Sequence, residues 1–126
     1  MEPKVEMPNA AGFAELSARA DEESPLTMLH LLAFKPGGGR ERFGEYALAL
    51  APMLKQAGGR IIFIGAPGTV LLGADSWDLV SLVEYPSRGA FLEMVQSPEY
   101  QEIAHMRREA LARGELHPID SADGLT

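Results

Sequence analysis

The run TMLHLLAF at residues 27–34 constrains the fold of this chain more than any other stretch. It has the length of a strand and is almost continuously apolar, which is typical of a strand buried on both faces. Leu29 and Leu31 lie on one face, and Met28 and Leu32 lie on the other. A sheet that contains this strand therefore needs a covering layer on each side.

The rest of the pattern predicts the element order β-α-β-β-α-β. Gly58 ends the first helix, and Pro52 inside that helix predicts a kink. Pro67 predicts a bend or bulge in the second strand, because proline cannot donate a ladder hydrogen bond. Ser87 and Ser97 are each placed as a helix N-cap, so the second helix is predicted in two pieces. The predicted strands cover residues 27–34, 60–73, 77–85 and 115–119, and the predicted helices cover residues 40–57, 88–96 and 98–113.

This order is the ferredoxin-like plan of the α+β class, a four-stranded antiparallel sheet with both helices on one face. Two helices leave the other face bare, although the first strand and the run IIFI in the second are apolar on both faces. A symmetric partner sheet is the most economical cover for the bare face. We therefore predict a homodimer with a dimeric α/β barrel, closed or nearly closed, between its subunits.

Residues 1–25 differ in pattern from the rest and are interpreted as an N-terminal extension, with the ferredoxin-like domain at residues 26–126. Pro8 and Asn9 can open a short helix with apolar residues along one side, and the DEESP segment would close it. We expect this helix to pack on the domain or on a partner subunit. A disordered tail is the alternative.

Charge and composition exclude several classes of function. The net charge is −7, and basic residues do not cluster beyond Arg107 and Arg108, so we expect no nucleic-acid partner. The absence of cysteine excludes disulfides, thiolate nucleophiles and zinc–thiolate sites. Neither a signal peptide nor a membrane-spanning run is recognisable, so we expect a cytoplasmic protein with no membrane partner.

Three stretches resemble a known family. They are AGGR at the end of the first helix, VEYPSRGAF leaving the third strand and SPEYQEIAHMRREA in the second helix. Together they resemble the bacterial domain-of-unknown-function family thirteen-thirty, over about residues 27–120. That family belongs to the dimeric α/β-barrel superfamily. The resemblance implies a fold, a dimer and a pocket, but no reaction, because one fold serves many functions.

The superfamily spans several chemistries, and this chain departs from the family's usual look. Relatives at superfamily level include muconolactone isomerases, cofactor-free quinone-forming monooxygenases, haem-handling enzymes and stress-induced barrels. Family members often carry a glutamate before the glycine that ends the second strand and a basic residue after the hairpin. Leu72 and Asp78 stand in those places here. If the polar pair acts in relatives, this chain has lost or replaced it.

Arg107 is a candidate ligand-binding residue because it falls on the apolar face of the last predicted helix. A guanidinium in such a stripe is costly unless it is paired, so a buried carboxylate or an acidic ligand is implied. Glu84 and Glu93 are the candidate carboxylates within the chain. A structural ion pair and recognition of a ligand anion are both consistent with the pattern.

Two tyrosines and the tryptophan are further candidate ligand-binding residues. Tyr100 lies on the same helix face as Arg107, and Tyr46 lies on the apolar stripe of the first helix. Their convergence would give a pocket with a few polar groups in an apolar wall. Each also fits a core aromatic with a tethered hydroxyl. Trp77 could floor the pocket or sit in the dimer interface.

His30 is the candidate catalytic residue, because it interrupts an apolar strand and imidazole can act as a general base near neutral pH. His117 in the last strand could approach it. His105 is predicted on a polar helix face, solvated and inert. A histidine in this setting is also common as a satisfied core residue. No histidines have the spacing of metal ligands, so we predict no metal site. We also expect no cofactor, with haem as a remote third option.

Two functional hypotheses remain open at this point. In the first, the chain is a cofactor-independent enzyme of the isomerase or monooxygenase type that moves a proton on a small, partly apolar acid. Arg107 would then fix the acid and His30 or a tyrosine would carry the proton. In the second, the chain is a binding or assembly module without turnover.

Overall fold

A computed structural model describes residues 8–120 of the chain. Eight elements follow one another in this part: α1 (Ala10–Ala18), β1 (Leu26–Phe34), α2 (Gly39–Gln56), β2 (Arg60–Gly65), β3 (Leu79–Tyr85), α3 (Arg88–Gln96), α4 (Pro98–Ala110) and β4 (Leu111–Ile119). Residues 1–7 of the predicted extension and residues 121–126 of the predicted domain lie outside the described residues. The division of the chain at residue 25 stays a prediction.

The four strands form one antiparallel sheet in the order β2-β3-β1-β4. β1 lies in the middle, where His30 is opposite Ser81 of β3 and Leu116 of β4. The order and the helical connections are those of a ferredoxin-like fold, so the predicted fold class is confirmed.

Helix ends follow the capping chemistry of the sequence. The side chain of Asn9 accepts a hydrogen bond from Gly12 N, and the hydroxyl of Ser87 accepts one from Ala90 N. Ser97 both ends α3 and begins α4, as its sequence position predicts. Helix α2 continues through Pro52, and Gly58 behind it has φ +79, the left-handed conformation that favours glycine after a helix.

The second strand is shorter than predicted. β2 ends at Gly65, and residues 66–78 contain no strand. Pro67 accounts for this end, because it lacks the N–H that a continuing ladder would need. The irregularity in β2 lies between Ile61 and Phe63 and not at the proline. The third strand likewise begins at Leu79, two residues later than predicted.

The boundary between the last helix and the last strand was also predicted wrongly. Helix α4 ends at Ala110, and Gly114 lies inside β4 opposite Leu32. The residues after Ala110 are good helix formers, yet they form a nine-residue strand. Pairing with the central strand β1 outweighs the weak local preference for helix.

The two faces of the sheet differ in cover. Helices α2, α3 and α4 lie over one face, and Leu26, Met28 and Val83 are buried there. The other side, the open face, has an apolar centre on the three strands β1, β2 and β3. That centre comprises Leu29, Leu31, Phe63, Val80 and Leu82, which are half-buried or exposed.

Helix α1 packs on α3, with Leu16 as its buried residue. The chain after α1 passes so close to α3 that a Cβ on Gly89 would lie 2.8 Å from the carbonyl oxygen of Ala20. Over residues 8–120, no helix is both long enough and apolar enough to cross a bilayer.

Candidate functional site

Polar side chains gather between the sheet and the helices. His30 and Ser81 face each other across β1 and β3, on the helix-covered side of the sheet. Tyr46 of α2 and Arg107 of α4 are both buried above that side. We call these four residues, together with Tyr100, the helix-side polar cluster.

Local packing sets α2 against α4 and so brings the two tyrosines together. A Cβ on Gly39, the first residue of α2, would lie 2.5 Å from the carbonyl oxygen of Ala110 at the end of α4. At the other end of α4, the hydroxyl of Ser97 accepts a hydrogen bond from Tyr100 N. Glycine allows the close approach of α2 to α4, and the serine cap fixes the first turn of α4, which carries Tyr100.

Tyr46 and Tyr100 meet directly. Their hydroxyl oxygens are 2.9 Å apart and share a hydrogen bond, and their rings pack edge to face with centroids 6.3 Å apart. Burial raises the pKa of Tyr46 above its usual value, as does neighbouring Tyr100, while the charge of Arg107 and a hydrogen bond from it act in the opposite direction. Tyr46 is therefore neutral at physiological pH, and the two hydroxyls can donate and accept hydrogen bonds.

His30 holds a buried nitrogen without a partner. The residue is half-buried as a whole, but its Nε2 is inaccessible to solvent and makes no hydrogen bond within the described structure. Burial lowers the pKa of His30 to about 3, and the positive charge of Arg107 lowers it as well. His30 is therefore uncharged at neutral pH, and in this state it is a weaker base than a solvated histidine.

The structure separates Arg107 from Glu84, one of the two carboxylates that the sequence offered as its partner. Glu84 lies on the open face, where its carboxylate is 3.0 Å from Nε of Arg60. Alternate residues of a strand point to opposite faces, so Glu84 and the helix-side Arg107 have the sheet between them. Glu93 is exposed on α3, whereas Arg107 is buried on α4. Pairing of Arg107 with Glu84 was therefore wrong, and pairing with Glu93 stays a prediction.

The remaining candidates lie outside the cluster. Trp77 precedes β3, and the guanidinium of Arg113 stacks 4.4 Å from the centre of its ring. His117 is opposite Leu29 and shares the open face, where it contacts Glu115 at 2.9 Å, so it does not approach His30. His105 is exposed and contacts Glu109.

Sequence reasoning missed three members of this region. Ser81 is buried opposite His30, and Tyr85 is buried further along β3, opposite Leu26. Burial raises the pKa of Tyr85, with Tyr100 raising and Arg107 lowering it, so its hydroxyl belongs to the same electrostatic neighbourhood. Phe43 packs on the ring of Tyr46 at 5.4 Å. The alternation of Ser81, Val83 and Tyr85 along β3 was the available signal.

Two cavities lie outside the helix-side polar cluster. A cavity of about 500 Å³ opens near Thr27, Leu82 and Ile119 on the open face, and one of about 130 Å³ lies beside Arg88. Within residues 8–120, no three histidine or carboxylate side chains are grouped to hold a metal ion.

Fold and site together define a small ferredoxin-like α+β protein with a largely buried polar cluster, which contains one arginine, between sheet and helices. Residues 38–117 match the model of the family described as "Domain of unknown function (DUF1330)". The match spans more than half of the chain, so the chain belongs to that family, as the resemblance predicted. No curated protein matches the chain.

Solved structures agree with this assignment. A protein of unknown function from Rhodopseudomonas palustris is 29% identical, with a TM-score of 0.86 over 94% of this chain and 98% of that one. A dimeric ferredoxin-like protein from Jannaschia sp. CCS1 is 14% identical, with a TM-score of 0.61 over 78% and 100%. A dimeric ferredoxin-like protein from Bacteroides fragilis is 9% identical, with a TM-score of 0.55 over 77% and 96%. The last two share the fold.

Proposed function

We propose that this chain is a small-molecule-binding protein that takes a small, partly apolar acid at the helix-side polar cluster and moves a proton on it without a cofactor. The observation that carries the proposal is the buried Nε2 of His30, which has no hydrogen-bond partner among residues 8–120. Buried polar atoms are seldom left unpaired, and an unpaired one needs a reason. A ligand group that hydrogen-bonds to Nε2 supplies that reason.

The neighbours of His30 suit an acid. The Tyr46 and Tyr100 hydroxyls form a donor and acceptor pair, and Arg107 supplies a positive charge close enough to lower the pKa of His30. Phe43 and the tyrosine rings form an aromatic wall for an apolar part of the molecule. A few convergent polar groups in an apolar wall are the usual composition of a small-molecule site.

Charge balance links binding to proton transfer. Burial and Arg107 both disfavour a proton on His30 in the free protein. The carboxylate of the bound acid offsets the charge of Arg107. When Nε2 takes a proton from an acidic C–H of the ligand, the electron pair stays on the ligand, and its negative charge stabilises the imidazolium beside it. The proton on Nε2 and the negative charge on the ligand thus appear together, as general base catalysis requires.

Binding can be tested with benzoate as the probe, followed by the nitrogen chemical shifts of His30. We expect a saturable shift in the wild type and in His117→Gln, which removes an exposed histidine. We expect affinity about tenfold weaker or worse in Arg107→Met, because a hydrogen bond to a charged group is lost. Unchanged affinity in Arg107→Met, with a dimer of increased stability, would contradict a role for Arg107 in holding the ligand.

Proton transfer is tested separately, by exchange of an acidic C–H of bound small acids with deuterated solvent. We expect exchange in the wild type and in His117→Gln and none in His30→Gln. Exchange that persists in His30→Gln at the wild-type rate would remove His30 from the catalytic role.

A non-catalytic binding or assembly module is the second candidate. Leu72 and Asp78 stand where relatives often carry a polar pair, and neither described cavity is lined by the cluster. Benzoate binding without exchange in the wild type would favour this candidate.

We also propose that the chain acts as a homodimer through its open face. Support comes from the apolar centre of that face and from its polar margin, which includes the pairs Arg60–Glu84 and Glu115–His117. An apolar centre with a polar rim is typical of protein interfaces. The similar proteins from Jannaschia and Bacteroides are described as dimeric. Sedimentation that finds only a 13.6 kDa monomer at micromolar concentration would contradict the dimer.

A further inference from the structure

A second buried cation lies outside the helix-side polar cluster. Arg88, at the start of α3, has a side chain that is only 2% exposed. Its Nη2 donates to the carboxylate of Asp120 at 2.6 Å, whereas its Nη1 is buried and has no hydrogen-bond partner in the described structure. A guanidinium with one half unsatisfied is costly to bury.

Arg88 lines a cavity. The space of about 130 Å³ is bounded by α1, by the first residue of α3 and by the end of β4, with Arg19, Glu15 and Asp120 among its walls. Its volume equals about four water molecules, given that a water occupies about 30 Å³ in the liquid. The space therefore holds a molecule of a few heavy atoms and no larger cofactor.

The charges around the cavity differ in how strongly water screens them. Asp120 is 53% exposed, Glu15 is exposed, and Arg19 is 34% exposed with a second partner in Glu22. Arg88 alone is shielded from water. A buried charge is screened less than an exposed one, so the positive field of Arg88 dominates inside the cavity. Consistent with this, Arg88 and then Arg19 lower the pKa of Asp120.

We propose that this cavity is a binding site for a small carboxylate monoanion, which accepts hydrogen bonds from the free Nη1 of Arg88 with Arg19 as the second cation. A planar carboxylate matches the guanidinium fork. A monoanion fits better than a dianion such as phosphate, because Glu15 and Asp120 also line the space. The carboxylate of Asp120 already accepts a hydrogen bond from Nη2, and the carboxylate of the ligand accepts one from Nη1 of the same guanidinium.

The test titrates the full-length protein with acetate at constant ionic strength, with chloride as the balancing anion. Binding is followed by the side-chain nitrogen signals of Arg88 and by the melting temperature. We expect a saturable effect of acetate, a weaker one of phosphate and none of chloride. Arg19→Gln should weaken acetate binding about fivefold, as loss of one partly exposed charge implies. Glu15→Gln should strengthen it, because a competing carboxylate becomes neutral.

Two controls separate this site from general effects. Arg60→Gln removes an exposed, ion-paired arginine on the open face and should leave the acetate response unchanged. Arg107→Met should leave the acetate-induced shift of the Arg88 side-chain signals unchanged, which distinguishes this cavity from the helix-side polar cluster. Arg88→Lys keeps the charge but loses the planar fork, so a folded Arg88→Lys protein should bind acetate about tenfold more weakly.

The proposal is overturned if acetate has no effect beyond that of chloride. It is equally overturned if Arg19→Gln responds like the wild type, or if crystals soaked in acetate carry only water on Nη1 of Arg88.

Discussion

The helix-covered face of the sheet and the open face use the same strands for different purposes. On the covered face the apolar core is complete within one chain, and it encloses polar groups such as His30 and Ser81. On the open face the centre is apolar and half-buried, and the charged residues stand at its margin. Polar atoms buried inside one chain point to ligand chemistry, whereas apolar surface without cover points to another chain.

The largest effect on stability is expected from a comparison of Leu82 and Val83, which are neighbours in β3 and lie on opposite faces of the sheet. Val83 is 7% exposed in the core, so Val83→Asp buries an unpaired carboxylate and should cost about 3 kcal/mol or more of unfolding free energy. Leu82→Asp places the same carboxylate on the open face and should leave a folded monomer. Circular dichroism and sedimentation measure both outcomes. A Leu82→Asp protein that remains dimeric would contradict the assignment of the open face to the dimer interface.

A second prediction concerns acid. The pKa of His30 is about 3 in the folded chain and about 6.5 in the unfolded one, so below pH 6.5 the unfolded chain binds the proton and the folded one does not. His30 therefore costs no stability above pH 6.5, and stability falls by up to about 1.4 kcal/mol per pH unit between pH 6.5 and 3.

The measurement is urea unfolding as a function of pH. His30→Gln should flatten the acid limb, and His117→Gln on the open face should retain it. An identical limb in wild type and His30→Gln would mean that His30 titrates normally and is not the buried group described here.

The smallest effect is expected at the tyrosine pair. In a double-mutant cycle of Tyr46→Phe and Tyr100→Phe, we expect a coupling energy of about 1 kcal/mol in unfolding, the value of one partly buried hydrogen bond. The same cycle on Arg60→Gln and Glu84→Gln, an exposed pair on the open face, should give less. Equal coupling energies would mean that burial on the covered face does not strengthen the hydrogen bond between the tyrosines.

The sequence predicted the fold because its strongest signals are local or periodic. Serine N-caps and apolar alternation identified the elements of the ferredoxin-like plan. The errors fell where tertiary pairing decides, as at Ala110, where pairing with β1 turns good helix formers into strand. Within the candidate site, helical spacing placed Tyr46 on the apolar stripe of the first predicted helix. It placed Tyr100 and Arg107 together on one face of the last predicted helix. The partner of a side chain could not be predicted, because it depends on which face of the sheet each strand residue takes, as Glu84 illustrates.

The serine between α3 and α4 has a consequence for how this family can change. The hydroxyl of Ser97 donates to Met94 O and accepts from Tyr100 N, so one side chain fixes the end of one helix and the phase of the next. One residue inserted between Ser97 and Tyr100 would turn Tyr100 by about 100° around the axis of α4, away from Tyr46. Insertions and deletions at this joint should therefore be selected against, while point substitutions of the intervening exposed residues are tolerated.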